Sequence, residues 1–135
     1  MKKLLLLMFC VTSLQAKDSN AIIGMVFGEY DLIGKSIGNN NTYFGQVSIE
    51  GTDDDIQVIR IINGKTTKGK ATINKTIDGV KVLRIRFREN EKQYEKKCLI
   101  DIDLDNYARL TCHLYIPNET KNKPGLEAMF IRHDE

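Results

Sequence analysis

The chain has 135 residues, 41% of them hydrophobic and 28% charged, which is the length and composition of one ordinary globular domain. Its 10 glycines and 2 prolines exclude collagen-like and proline-rich classes. The formal charge is +2, and Lys2 and Lys3 supply all of it, because the rest of the chain carries 18 Lys and Arg against 18 Asp and Glu. A domain without a net field has no general hold on a phosphate polymer, so nucleic acid is not an expected partner.

Met1-Lys2-Lys3 is a short cationic start, and Leu4 to Val11 is an unbroken apolar run. Thr12-Ser13-Leu14-Gln15-Ala16 then brings polar residues and a small residue at the cut. That order is the secretory signal pattern, and the run is too short for a spanning helix, which needs roughly 20 apolar residues. The reading is therefore a signal peptide over 1–16 and a single exported domain over 17–135, periplasmic or extracellular. Leu7-Met8-Phe9-Cys10 resembles a lipoprotein box, but bulky Phe9 sits where such boxes take a small residue, which argues against a lipid anchor. No later segment approaches a membrane-spanning length.

After residue 21 the sequence reads as strands, and no apolar helical stripe is expected outside the signal. Gly28-Glu29-Tyr30 opens the first. Thr42 to Glu50 alternates, with Tyr43, Gly45, Val47 and Ile49 on one face. Ile56 to Ile62 is apolar on both faces, and Thr66 to Ile73 is a polar strand between the turn signals Asn63-Gly64 and Asp78-Gly79. Val80 to Arg88 follows, with Leu83, Ile85 and Phe87 opposite Arg84, Arg86 and Arg88. Glu89 to Lys97 suits either a helix turn or a hairpin tip, and flanking strands favour the tip. A loop over Pro117 to Gly125 leads to a last strand at Leu126 to His133.

Export leaves Cys98 and Cys112 as an even pair in an oxidising space. If they lie opposite one another in a hairpin around Leu104-Asp105-Asn106, then Ile100 faces Leu110, Ile102 faces Ala108, and Asp101 meets Arg109 on the other face. A slip by one residue would turn the apolar set toward solvent, so the pattern and a Cys98–Cys112 disulfide select one register. The fold class expected is all-β: about eight antiparallel strands in an up-and-down meander, forming a closed or partly open barrel, with a two-sheet sandwich as the alternative.

Gly28-Glu29-Tyr30 at the start of the first strand, with Arg132 near the end of the last, resembles the calycin arrangement of lipocalin-like and avidin-like barrels. The resemblance spans roughly residues 24–133. It implies a G-x-W-type start packing beneath the barrel, with Tyr30 in the aromatic position and Arg132 covering it. The chain has no Trp, which argues against the indole-lined site of biotin binders.

Catalytic patterns are not found. His113 and His133 have no nucleophile and acid spaced to make a triad, and no nucleophile elbow exists. Asp101 and Asp103 share one strand face about 7 Å apart, whereas paired glycosidase acids come from different elements. Asp53-Asp54-Asp55 lacks the spaced ligands of a calcium loop. The chain is thus not expected to be an enzyme, to carry a cofactor, or to hold a metal.

Two binding functions remain. The first is a barrel holding a small apolar or amphipathic ligand, lined by Tyr30, Tyr43, Val47, Ile49, Leu83, Ile85 and Phe87. The alternative is a protein-binding module, such as an inhibitor of a secreted hydrolase, using Arg84, Arg86 and Arg88 as a ridge for an acidic partner. Those arginines also read as a solvated face paired with carboxylates of neighbouring strands, or as lining the interior; Leu83, Ile85 and Phe87 make the opposite face the core and so favour the solvated face.

Overall fold

The computed structural model describes residues 17–100 and 108–133, with side chains placed from residue 22 onward. The signal segment 1–16 lies outside the described residues, as do the hairpin tip and the Asp101 and Ile102 pairings expected there.

Eight strands follow one another as neighbours and close on themselves: β1 (Gly28–Lys35), β2 (Thr42–Thr52), β3 (Asp55–Ile62), β4 (Lys65–Lys75), β5 (Lys81–Glu89), β6 (Lys92–Ile100), β7 (Leu110–Tyr115) and β8 (Gly125–Ile131). Every pairing is antiparallel, and β1 pairs with β8 from Tyr30↔Ile131 to Lys35↔Leu126, so no edge is left unpaired. The all-β meander expected from alternation is thus a closed barrel rather than a sandwich. The tight connections turn on two successive residues with positive φ: Asn63-Gly64 between β3 and β4, and Asn90-Glu91 between β5 and β6. In the stretch Glu89 to Lys97, read from sequence as a hairpin tip, the tip is confined to Asn90-Glu91, and Lys92 to Lys97 already belong to β6.

Alternation sets the inner face. Val47 and Ile49, Ile56 and Val58, Leu83, Ile85 and Phe87, Leu110 and Leu114, and Met129 all point inward and are buried. Each such side chain contributes about 1.5–3 kcal/mol on leaving water. Cys98 lies directly opposite Cys112, with Ile100 opposite Leu110, and the two sulfurs are at bonding distance, 2.04 Å. The disulfide is completely buried inside the barrel, in the register that the apolar pattern requires.

One element departs from the sequence reading. Lys17–Val26 is a helix, α1, of 10 residues. Among its side chains described from residue 22 onward, Ile23 and Val26 are buried, and β-branched Ile and Val favour strand on propensity, so the sequence carries no clear helical period here. Packing, not propensity, holds it. Tyr30 Oη donates to Val26 O at 2.6 Å and Arg109 Nη1 to Met25 O at 3.2 Å, so two of the last carbonyls of the helix find buried or half-buried donors.

Gly28 links α1 to β1 with φ of 147°, a backbone conformation that side chains disfavour. The meander puts α1 at the end of the barrel that carries the β2–β3, β4–β5 and β6–β7 connections. The opposite end carries the β1–β2, β3–β4, β5–β6 and β7–β8 loops. No helix among the described residues is long and apolar enough to cross a membrane.

Candidate functional site

The open end holds a cavity of about 460 Å³, lined by Tyr43, Arg60, Ile62, Phe87, Tyr94 and Leu114, with Ser36, Ile37, Thr42, Asn63 and Glu89 at its rim. Its aromatic wall is ordered. Phe87 and Tyr94 are cross-strand partners whose rings stack 5.3 Å apart at 12°.

The inner wall is charged. Arg60, on the apolar parity of β3 after Ile56 and Val58, is only 6% exposed. Its guanidinium lies 5.5 Å from the centre of the Tyr43 ring and 5.1 Å from that of Phe87, held by two π-faces. Glu127, 1% exposed on β8, accepts from Arg60 Nη2 and, at 2.6 Å, from Tyr43 Oη with the same Oε1. Its Oε2 accepts from Lys96 Nζ at 2.7 Å, and Lys96 is completely buried on β6. Tyr43 Oη also accepts from Arg60 Nη2 at 3.3 Å.

Burial alone would raise the Glu127 carboxyl, but Lys96 and Arg60, with the Tyr43 hydroxyl, bring it down to about 2. Burial pushes the Lys96 ammonium down from its ordinary value, with Glu127 opposing. The Tyr43 hydroxyl is raised by burial and by the carboxylate it faces, so it stays a donor.

Glu89 stands at the rim, 4.0 Å from Arg60 Nη1 and 3.7 Å from Lys65 Nζ. Of the Arg60 nitrogens, Nη2 is engaged; Nε is buried with no hydrogen-bond partner among the described residues, and Nη1 has only that long contact to Glu89. An unsatisfied donor beside a cavity is an uncommon arrangement in a folded interior.

The seven residues expected to line a ligand divide into two sets. Tyr43 and Phe87 border the cavity. Tyr30, Val47, Ile49, Leu83 and Ile85 fill the barrel between the cavity and α1, each between 0 and 2% exposed, as packed core. Tyr30 does sit under the barrel, but Arg132 does not cover it: Arg132 lies on the surface, 3.6 Å from Asp31. The guanidinium beside the Tyr30 hydroxyl is Arg109, which opposes the upward push of burial on that phenol. The register explains the difference, since Arg132 follows Ile131 beyond the last residue of β8 that pairs with β1.

Arg84, Arg86 and Arg88 lie on the outer face. Glu95, on the neighbouring strand, takes Arg84 Nε at 2.7 Å, an ion pair whose angle falls short of a hydrogen bond, and Arg86 Nε at 3.7 Å. The same carboxylate, after burial, pushes the Tyr115 hydroxyl up to about 12. Arg88 is exposed. Arg60, by contrast, reaches the interior.

Arg60, Lys96 and Glu127 were not singled out by sequence reasoning. The signal was present in parity: Lys96 is two residues before Cys98 on the same face of β6, and Glu127 is two before Met129 on β8. Comparison with protein-family models, with curated proteins and with solved structures finds no match for this chain.

Proposed function

We propose that the protein is an exported, non-enzymatic binding barrel that holds a small amphipathic molecule in its open end. The observation that carries this is the cavity of about 460 Å³ walled by Tyr43, Ile62, Phe87, Tyr94 and Leu114 around a buried charged cluster. Sites for small molecules typically occupy some 300–1,000 Å³, with apolar walls and a few placed polar groups. Packed core side chains, with Val26 of α1 among them, fill the barrel beneath the cavity, so that among the described residues the cavity has a floor.

The meander of eight strands, with Gly28 and Tyr30 set above a closing helix, supports a calycin-like reading of the fold. The Cys98–Cys112 bond is compatible with an exported domain over 17–135 following a signal over 1–16. The alternative, a module docking proteins on Arg84, Arg86 and Arg88, has less support because Glu95 already pairs two of the three.

The test is the intact mass of protein recovered from its exported compartment, recorded under native and then denaturing conditions, together with titration by the neutral dye N-phenylnaphthylamine. A small extra mass lost on denaturation, or a saturable rise in dye fluorescence, is the expected result. A bare mass together with no dye binding overturns the carrier reading.

A further inference from the structure

We infer that the cavity takes a monocarboxylate with a short apolar or aromatic body, its head seated on Arg60 and its body against Phe87, Tyr94, Ile62 and Leu114. This rests on the carrier reading and names its ligand class. Three observations converge on it.

The first is the guanidinium itself. Arg60 is buried and borders the cavity, yet among the described residues Nε has no partner and Nη1 has only Glu89 at 4.0 Å. A buried donor without an acceptor carries the full cost of its lost hydration, so the guanidinium that borders the cavity is under-satisfied as it stands. Nη2 is taken by Glu127 and Tyr43, so a ligand carboxylate meets the guanidinium through one charge-assisted contact at Nη1 rather than through a two-nitrogen fork.

The second is the charge around it. Arg60, Lys96 and Lys65 face Glu127 and Glu89, three cations against two carboxylates. Glu127 has both oxygens committed to Lys96, Arg60 and Tyr43, so it does not compete for the free side of the guanidinium. Among the described residues Glu89 is the one acidic group on that side, at long range and shared with Lys65. One anionic charge brings the group to neutrality.

The third is preorganisation. Tyr43 and Phe87 hold the guanidinium between their faces, so little order has to be imposed when the head arrives. The stacked Phe87–Tyr94 pair then continues as a flat apolar wall for the body.

The test uses the 17–135 domain, oxidised, with N-phenylnaphthylamine as the neutral reporter. Two matched pairs compete it off at neutral pH: octanoate against octanol, and phenylpropionate against phenylpropanol. The acid in at least one pair is expected to displace the dye at a concentration about tenfold lower than its alcohol, the scale of one charge-assisted contact.

Arg60→Lys keeps a cation beside Glu127 but loses the second nitrogen that faces the cavity, and is expected to shrink that acid-to-alcohol ratio several-fold. Glu89→Gln removes the competing rim carboxylate from a partly exposed position and is expected to widen the ratio, which keeps the test open if Arg60 variants fail to fold. Dye that binds but is displaced no better by either acid than by its alcohol overturns the carboxylate inference and leaves the carrier reading standing. Failure of the dye and of all four compounds to bind overturns both.

Discussion

Lys96 Nζ lies 2.7 Å from Glu127 Oε2 inside the barrel, with both side chains out of reach of solvent. Because Arg60 shares the carboxylate, the three groups are not equivalent. Removing Lys96 leaves one cation opposite one carboxylate, still bonded by Tyr43. Removing Glu127 leaves two cations buried with nothing between them. Glu127→Gln is therefore expected to cost about 3–5 kcal/mol, the range for breaking a buried pair, and Lys96→Met clearly less. Urea unfolding midpoints of the two variants check this, and equal losses would show that Arg60 does not hold Glu127 on its own.

The same carboxylate gives the stability a pH dependence. Glu127 is held at about 2 in the fold against an ordinary 4.5, so the unfolded chain takes up its proton first. Its contribution is complete above 4.5 and is lost as pH falls from there toward 2. Wild type should lose stability across that window faster than Glu127→Gln, whose curve lacks this titration. Parallel curves from denaturation at several pH values would remove the assignment.

How far this site could be read beforehand depends on which cue each residue leaves. Alternation placed Leu83, Ile85 and Phe87 inside and Arg84, Arg86 and Arg88 outside, because on β5 the two parities differ in polarity. The cysteine pair fixed the β6–β7 register for the same reason. Arg60 left no such cue: Ile59 and Ile61 are apolar on the opposite parity, so Ile56 to Ile62 reads as buried on both faces. Lys96 was hidden in a stretch of charged residues that suggested solvent. A buried charge looks like a surface residue until the register of its strand is known. The helix α1 escaped because its seat is made by Tyr30 and Arg109, which are distant or separately folded parts of the chain.

That seat makes its own prediction. Tyr30 Oη is the buried donor to Val26 O, and Tyr30→Phe keeps the ring in the core while leaving that carbonyl unsatisfied, at about 1–3 kcal/mol. The loss should be local. Hydrogen exchange over residues 22–27 is expected to quicken while β2 to β5 keep their protection. Unchanged exchange in α1 would mean that Ile23, Val26 and the Arg109 contact hold the helix without that hydrogen bond.

The disulfide acts on the unfolded chain more than on the folded one. Cys98 and Cys112 are 14 apart in sequence, and closing a loop of that size is worth about 3 kcal/mol in the chain-entropy model. Cys98→Ala with Cys112→Ala leaves the apolar register intact, so the barrel should fold but unfold at lower urea by roughly that amount. Denaturation of the double variant with the oxidised and reduced wild type compares the three directly. A double variant as stable as the oxidised protein would show that packing of β6 on β7 needs no staple.

Gly34 connects the scaffold to the cavity. It lies directly opposite Tyr43 across β1 and β2, and a Cβ there would overlap the Tyr43 ring. The glycine is therefore a slot that lets the ring lie flat, a recurrent use of glycine beside an aromatic in a curved sheet. Gly34→Ala should push the ring toward the cavity, lengthen the Tyr43–Glu127 hydrogen bond and free one face of Arg60. Two results are expected together: weaker binding of N-phenylnaphthylamine as the cavity narrows, and a Glu127 carboxyl that titrates higher because it has lost a donor. Carboxylate NMR of the variant reads the second independently of any ligand. A Gly34→Ala protein with unaltered titration and dye binding would mean that the ring has room to shift sideways, and that the glycine serves the strand rather than the site.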